Sequence, residues 1–323
     1  MLTVYLDQNK WIDLARARTE HPLGAPFVET LAVFTWAMNE GRARFPLSAA
    51  HYYETGKQRD RRKRQDLAST MMHLSGTLRI APPHAIVPWE IRRALVTVLG
   101  LPHSIPDMAI FGEGAAHAFD RPSLRYTAPA EWEGHTLPPD VRMELQRRAN
   151  PEYETLLLAG ATPEGMPDDM RIVLNDVKSL TDERFVQGQR NVAEAITKFG
   201  RHRLEEVMIA STYADIMDPL VRAGTELGVG KDELLDNMRP IVEAIPSRWV
   251  EMKLRHQRQA NPQKAWHGHD LNDVTALAIA VPYCDVVVTE RSWSSMLDAA
   301  KVPARFGHTV TPSLRDVVDL LGT

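Results

Sequence analysis

Three acidic positions far apart in the chain carry the residue types that could do chemistry: Asp7, Glu54 and Asp273. Asp7 closes the first apolar run, Leu2-Thr3-Val4-Tyr5-Leu6, while Asp270 and Asp273 open another, Val274 to Val281. A carboxylate just past the carboxyl end of a buried strand stands on the rim where open α/β sheets bind ligands. Carboxylates converging there repel one another and stay ionised only beside compensating cations; magnesium or manganese accepts such hard oxygen ligands. A metal so held can orient and deprotonate a water.

Each acid also has a plainer reading. Asp7, after a strand, suits a helix cap or turn. Glu54 leans back toward the start of its helix and the same rim, or is a solvated helix glutamate. Asp270 and Asp273 suit a first helical turn, where capping and the dipole are worth about 1 kcal/mol; of the two, Asp270 is the cap-side residue and Asp273 the inward one. Thr289-Glu290, ending the run Val286-Val287-Val288, brings a hydroxyl and a carboxylate to the rim. Asp285 sits at the opposite end of that strand, roughly 13 Å away at about 3.3 Å per residue, and reads as structural.

Groups for a phosphate substrate stand nearby. Asn9 can hydrogen-bond to the rim loop and Lys10 can reach a phosphate. Lys57, Arg59, Arg61, Arg62, Lys63 and Arg64 follow Glu54 on what should be one continuous helix. A helix spreads such a run around its circumference, so some positions face a nucleic-acid backbone and others only solvate the surface. Lys253, Arg255, His256 and Arg258 form a second basic set that could flank the opposite wall. Trp266-His267-Gly268-His269-Asp270 invites a zinc reading, but no companion histidine cluster follows at readable spacing. Cys284, the only cysteine, follows an apolar run without an evident base and reads as a buried thiol. No Gly-x-Ser-x-Gly motif supports a serine hydrolase.

The elements that must position these groups alternate. A strand over 2–6 precedes helices over 11–16 and 27–38, a short strand over 44–47, and a helix from Ala49, capped by Ser48, that runs through to Met72. An extended segment over 77–80, a Pro82-Pro83 break and a helix over 89–99 follow. Recurring prolines and glycines from Gly100 to about Pro167 read as an insertion, and Arg171 to about Ile245 as a helical bundle or cap. The end of the chain resumes alternation: helix 273–281, strand 285–289, helix 293–300, an extended 308–310 and a terminal helix. Neither end has enough strands to bury both faces of a sheet, so both ends are expected to share one parallel sheet.

The order strand-Asp (Val4-Tyr5-Leu6-Asp7), helical Glu (Glu54), then Asp-helix-strand-Thr (Asp273 through Val286-Val287-Val288-Thr289) resembles the PIN domain, a metal-dependent nuclease fold. The resemblance covers residues 1–97 and 246–323 and leaves 98–245 as a mainly helical insertion or cap. It implies an α/β fold of three α/β/α layers around a mostly parallel sheet. It also implies an acidic pocket of Asp7, Glu54 and Asp273 as catalytic metal ligands, with a fourth position near Thr289-Glu290. PIN domains often carry Asp or Asn after that threonine; here Glu290-Arg291 stands instead, so Glu290 and Asp270, a helical turn from Asp273, compete for the fourth ligand.

The expected function is therefore a Mg2+- or Mn2+-dependent endoribonuclease. Its metal ligands come from Asp7, Glu54, Asp270, Asp273 and Glu290, and its substrate contacts are Asn9, Lys10, Lys57, Arg61, Arg62, Arg64 and Thr289. RNA rather than DNA is what the resemblance implies. The alternatives are a catalytically inactive PIN-like module that binds RNA or protein, and a metal phosphohydrolase on small phosphate esters. Small PIN-like nucleases are frequently toxins, so an antitoxin or other regulatory protein and a second copy of the chain are candidate partners. The 323 residues are 44% hydrophobic, ample for a core, and a net charge of −4 leaves phosphate binding to a local patch. A lone cysteine excludes an internal disulfide framework and fits a reducing, cytoplasmic setting. No apolar stretch suits a signal peptide or a membrane span.

Overall fold

The structure is a computed structural model that describes residues 1–160, 168–261 and 265–322, with side chains outside 168–180. Its strands are β1 (Leu2–Leu6), β2 (Ala43–Arg44), β3 (Leu78–Ile80), β4 (Phe111–Glu113), β5 (Glu131–Trp132), β6 (His135–Thr136), β7 (Val286–Val288) and β8 (Thr309–Thr311). A parallel sheet in the order β2-β1-β7-β8 lies at the centre, and β3-β4 and β5-β6 form separate antiparallel pairs. The two ends of the chain thus build one sheet, as expected, with Val4 beside Val286 and Leu6 beside Val288.

Strand side chains alternate between faces, so the apolar runs divide. Val4, Leu6, Val286 and Val288 pack with Trp11, Phe34, Phe45 and Met71 on one face. Tyr5, Val287 and Val310 pack with Met208, Trp249, Leu254 and Val274 on the other. Fully burying a Val or Leu is worth about 1.5–3 kcal/mol, and this two-sided burial explains why the strands read as unbroken apolar runs. At the edge opposite the rim, Asp285 accepts a 2.7 Å hydrogen bond from the Thr3 amide, a structural role as expected.

The stretch 98–245, interposed in sequence, contributes to both of these cores. Ala115, Ala118 and Leu158 join the first cluster; Ile196, Met208, Tyr213, Leu220 and Ile241 join the second. Its proline-rich part also holds a helix that the texture concealed, Pro139–Leu158. Pro139 stands at the first helical position, where its missing N–H costs nothing. Pro83 does the same for Pro83–Leu99, so the Pro-Pro pair begins a helix rather than only breaking the chain. Gly165, Met166 and Pro167 lie outside the described residues. No described helix is long and apolar enough to cross a membrane.

The helix carrying Glu54 is shorter than expected. It spans Ala49–Gly56, and a new helix, Arg61–Ser75, starts after Asp60, whose side chain accepts from the amides of Arg62 and Lys63. Arg64 braces the break, donating from Nη1 to the Gln58 carbonyl at 2.6 Å and from Nε to the Ala159 carbonyl at 2.9 Å.

Candidate functional site

The chain passes from each parallel strand into a helix at the sheet's carboxyl edge, and there the acids gather. Asp7 leaves β1 as the N-cap of the Gln8–Arg18 helix: Oδ1 accepts from the Gln8 amide at 2.8 Å and Oδ2 from Thr289 Oγ1 at 3.1 Å. The cap and rim readings of Asp7 therefore both hold. Its own amide continues the ladder to the Val288 carbonyl at 2.8 Å, which fixes it beside the end of β7. Asp273 stands in the first turn of Asp270–Tyr283, and Glu290 caps Arg291–Ala299 in position, without a side-chain hydrogen bond to that helix.

Electrostatics tie the four carboxylates together. Burial raises the Asp7 pKa above the ordinary carboxylate value, and Glu290 adds to the rise. Asp273 is pushed up to about 8, first by burial, then by the charges of Asp7 and Glu54, with Glu290 contributing. Trp293 Nε1 donates to Asp273 Oδ2 at 3.2 Å and offsets part of this rise. Mutual repulsion at a half-buried rim makes these acids the chain's candidates for a functional site.

Sequence reasoning missed the residue that holds β1 against the Glu54 helix. His51 accepts from the Ser48 amide at Nδ1, 2.9 Å, and meets the Leu6 carbonyl from Nε2 at 2.9 Å. Because Nδ1 accepts, the ring proton is on Nε2 and donates to Leu6, the residue before Asp7. Burial lowers the His51 pKa to about 4, so the ring is neutral at pH 7. Glu54 lies three residues on, one helical step along the same face. The signal was present: Ser48 and His51 form a capping box with histidine where glutamate or glutamine is usual.

Asp270 is removed from the ligand set. Arg258 grips both of its oxygens, Nη1 to Oδ1 at 3.0 Å and Nη2 to Oδ2 at 2.5 Å, and the His267 amide adds a bond of 2.7 Å to Oδ2. Both side chains of this pair are buried, so an ionised Asp270 is needed to balance the guanidinium. The guanidinium also lies over Trp266 at 4.4 Å and Trp293 at 5.3 Å, and so supports the indole that holds Asp273. The second basic set is likewise engaged, Arg255 with Asp215 at 2.6 Å and Lys253 with Glu205 at 3.4 Å. His267 and His269 are exposed and stack on each other. Cys284 is buried, as expected.

The expected substrate contacts divide. Asn9 is exposed and donates from Nδ2 to Glu290 Oε1 at 2.7 Å, while Lys10 Nζ donates to the Pro312 carbonyl at 2.7 Å and its charge eases the ionisation of Asp7. Lys57, Arg61 and Arg62 are exposed beyond the Glu54 helix. Two assignments are corrected. Arg64 is committed to backbone carbonyls, and Thr289, fully buried, serves Asp7 rather than a substrate.

Among the described residues, no group of three or more His, Cys, Asp or Glu side chains is arranged to hold a metal ion as it stands. Asp7, Asp273 and Glu290 are each drawn to protein donors: Thr289 and the Gln8 amide, Trp293, and Asn9. Comparisons with family models, with curated proteins and with solved structures return no match to this chain.

Proposed function

We propose that this chain is a divalent-metal-dependent nuclease with a PIN-like α/β domain, hydrolysing phosphodiester bonds of RNA at the rim of Asp7, Glu54, Asp273 and Glu290. The observation that carries the reading is the Asp273 carboxyl, raised to about 8 by burial beside Asp7 and Glu54. A protein gains nothing in stability from crowding these acids, and a cation relieves the cost. The donor set is all carboxylate oxygen, which suits Mg2+ or Mn2+ and not a soft metal. When bound, the ion would supply an activated water and charge neutralisation for in-line attack on phosphorus.

The chain's own residues have distinct parts in this reading. Asp7 is held rigid by its cap and by Thr289, so it presents the fixed carboxylate. Asp273 would have to give up its proton to hold a cation, which would couple metal binding to pH. Trp293 keeps Asp273 aimed at the rim until then, and His51 keeps the Glu54 helix seated on the end of β1.

The test incubates the purified protein with single-stranded RNA in Mn2+, Mg2+ or chelator, and measures Mn2+ binding calorimetrically in parallel. Cleavage in metal and loss of both binding and cleavage in Asp7→Asn and Asp273→Asn are expected. Undiminished Mn2+ affinity in both variants overturns the assignment. A second reading, a PIN-like module that binds RNA without cutting, is favoured by the carboxylates' engagement with protein donors. It predicts RNA binding with no turnover in either metal.

A further inference from the structure

A cleft of about 500 Å3 opens beside the rim, and the sequence drew no attention to it. Its volume is within the range of small-ligand sites, about 300–1,000 Å3. Three helices that leave the sheet at its carboxyl edge contribute to its wall: Gln8–Arg18 after β1, Arg291–Ala299 after β7 and Leu314–Leu321 after β8. Each places a cation in its first turn at the cleft, respectively Lys10, Arg291 and Arg315.

The arrangement runs against helix preference. First turns favour acids, and a cation there forgoes about 0.3–1 kcal/mol. The first turns of Gln8–Arg18 and Arg291–Ala299 hold no acid, and in Leu314–Leu321 the first-turn Asp316 is taken up by the Thr311 hydroxyl, so the cations at this edge are not matched by free acids of their own first turns. The cleft's acids on two of these helices stand further along them. Asp13 and Asp319 follow Lys10 and Arg315 by one turn, about 5 Å further from the rim at 1.5 Å per residue. Asp13 is moreover paired with Arg16 at 3.2 Å. Glu29, at the start of Val28–Asn39, completes the cleft's acidic side. Among the described side chains neither Arg291 nor Arg315 forms an ion pair, and both are exposed. Lys10 is tethered to the Pro312 carbonyl, which holds its ammonium where the cleft meets Asp7.

We propose that this cleft binds the backbone phosphates flanking the scissile bond, so that a polynucleotide strand leaves the rim across Lys10, Arg291 and Arg315. The proposal rests on the reading of the rim as a nuclease site and specifies its substrate as a chain rather than a small phosphate ester. It also moves the principal phosphate contact from the basic run of 57–64 to the opposite flank of Asp7.

The experiment measures binding of a labelled single-stranded oligoribonucleotide by fluorescence anisotropy, in chelator, across a salt series. Wild type is compared with R291A/R315A and with the charge-matched control R61A/R62A, all four positions being exposed. The R291A/R315A variant is expected to bind about tenfold more weakly, with a salt slope shallower by about 1.4, about 0.7 per lost contact. The control is expected to stay within about twofold of wild type. Equal affinity and slope for R291A/R315A, equal losses in both variants, or no binding by wild type overturns the proposal. Chelator removes the metal from this measurement. Intact, cleft-dependent binding without Mn2+-dependent cleavage would sink the nuclease reading alone, and cleavage indifferent to R291A/R315A would sink the cleft alone.

Discussion

Asp7→Asn should make the metal-free protein more stable at alkaline pH while disabling it. Asp273 titrates near 8 in the folded chain and near 3.8 when unfolded. Between those values the folded state holds one more proton than the unfolded state, so stability falls as pH rises, by about 1.4 kcal/mol per pH unit. His51 complicates the acid side, because its lowered pKa removes stability as pH falls from 6.5 to about 4. The clean window is therefore pH 6.5 to 8.5, where wild type in chelator should lose about 2 kcal/mol. Asparagine is as good an N-cap as aspartate, and with its Oδ1 on the Gln8 amide its Nδ2 can donate to Thr289 Oγ1, so the substitution mainly deletes a charge. Asp7 is second to burial among the causes that raise Asp273. Deleting it should lower that pKa by about one unit and leave the variant about 1–2 kcal/mol more stable than wild type at pH 8.5. Urea unfolding at several pH values in chelator measures both curves. A flat wild-type curve across the window, or a variant that falls as steeply, would refute the claim that these carboxylates repel.

Three further outcomes follow from the same geometry. Saturating Mn2+ should raise the melting temperature more at pH 8 than at pH 6, because binding must displace the Asp273 proton below about 8; Asp273→Asn should abolish this pH difference in a thermal-shift series. Arg258→Leu should destabilise by about 3–5 kcal/mol by leaving Asp270 buried and unpaired, and Arg258→Leu with Asp270→Leu should recover part of that loss in urea unfolding; a single-variant cost below about 1 kcal/mol contradicts the buried pair. His51→Gln should remove the acid-side loss of stability between pH 6.5 and 4 and weaken Mn2+ binding, measured by calorimetry, while far-UV circular dichroism stays native; unchanged Mn2+ affinity would mean that His51 does not position the rim.

The alternation of apolar runs with helical periodicity was enough to read a parallel sheet closed by both ends of the chain, because strands buried on two faces must be apolar throughout. Asp7, the Ser48 cap and the structural role of Asp285 were readable for a local reason, their position relative to a strand end. The break after Gly56 had one local signal, Asp60 as an N-cap, but the basic run masked it, and one of its stabilisers is distant: Arg64 reaches the Ala159 carbonyl from across the fold. Pro139 and Pro83 misled for the opposite reason, a residue that ends helices inside also starts them.

By itself the amino-acid order determined which residues are acidic, which runs must be buried and which ends of strands carry a carboxylate. Those properties depend on side-chain type and on period, and both are written along the chain. Tertiary structure decided which acids share a field. Asp270 and Asp273 both suit a first helical turn, yet one is gripped by Arg258 and the other is raised to about 8 by burial and by Asp7 and Glu54. Charge repulsion and ion pairing depend on distance and burial, and residues more than two hundred positions apart acquire both only when the chain has closed.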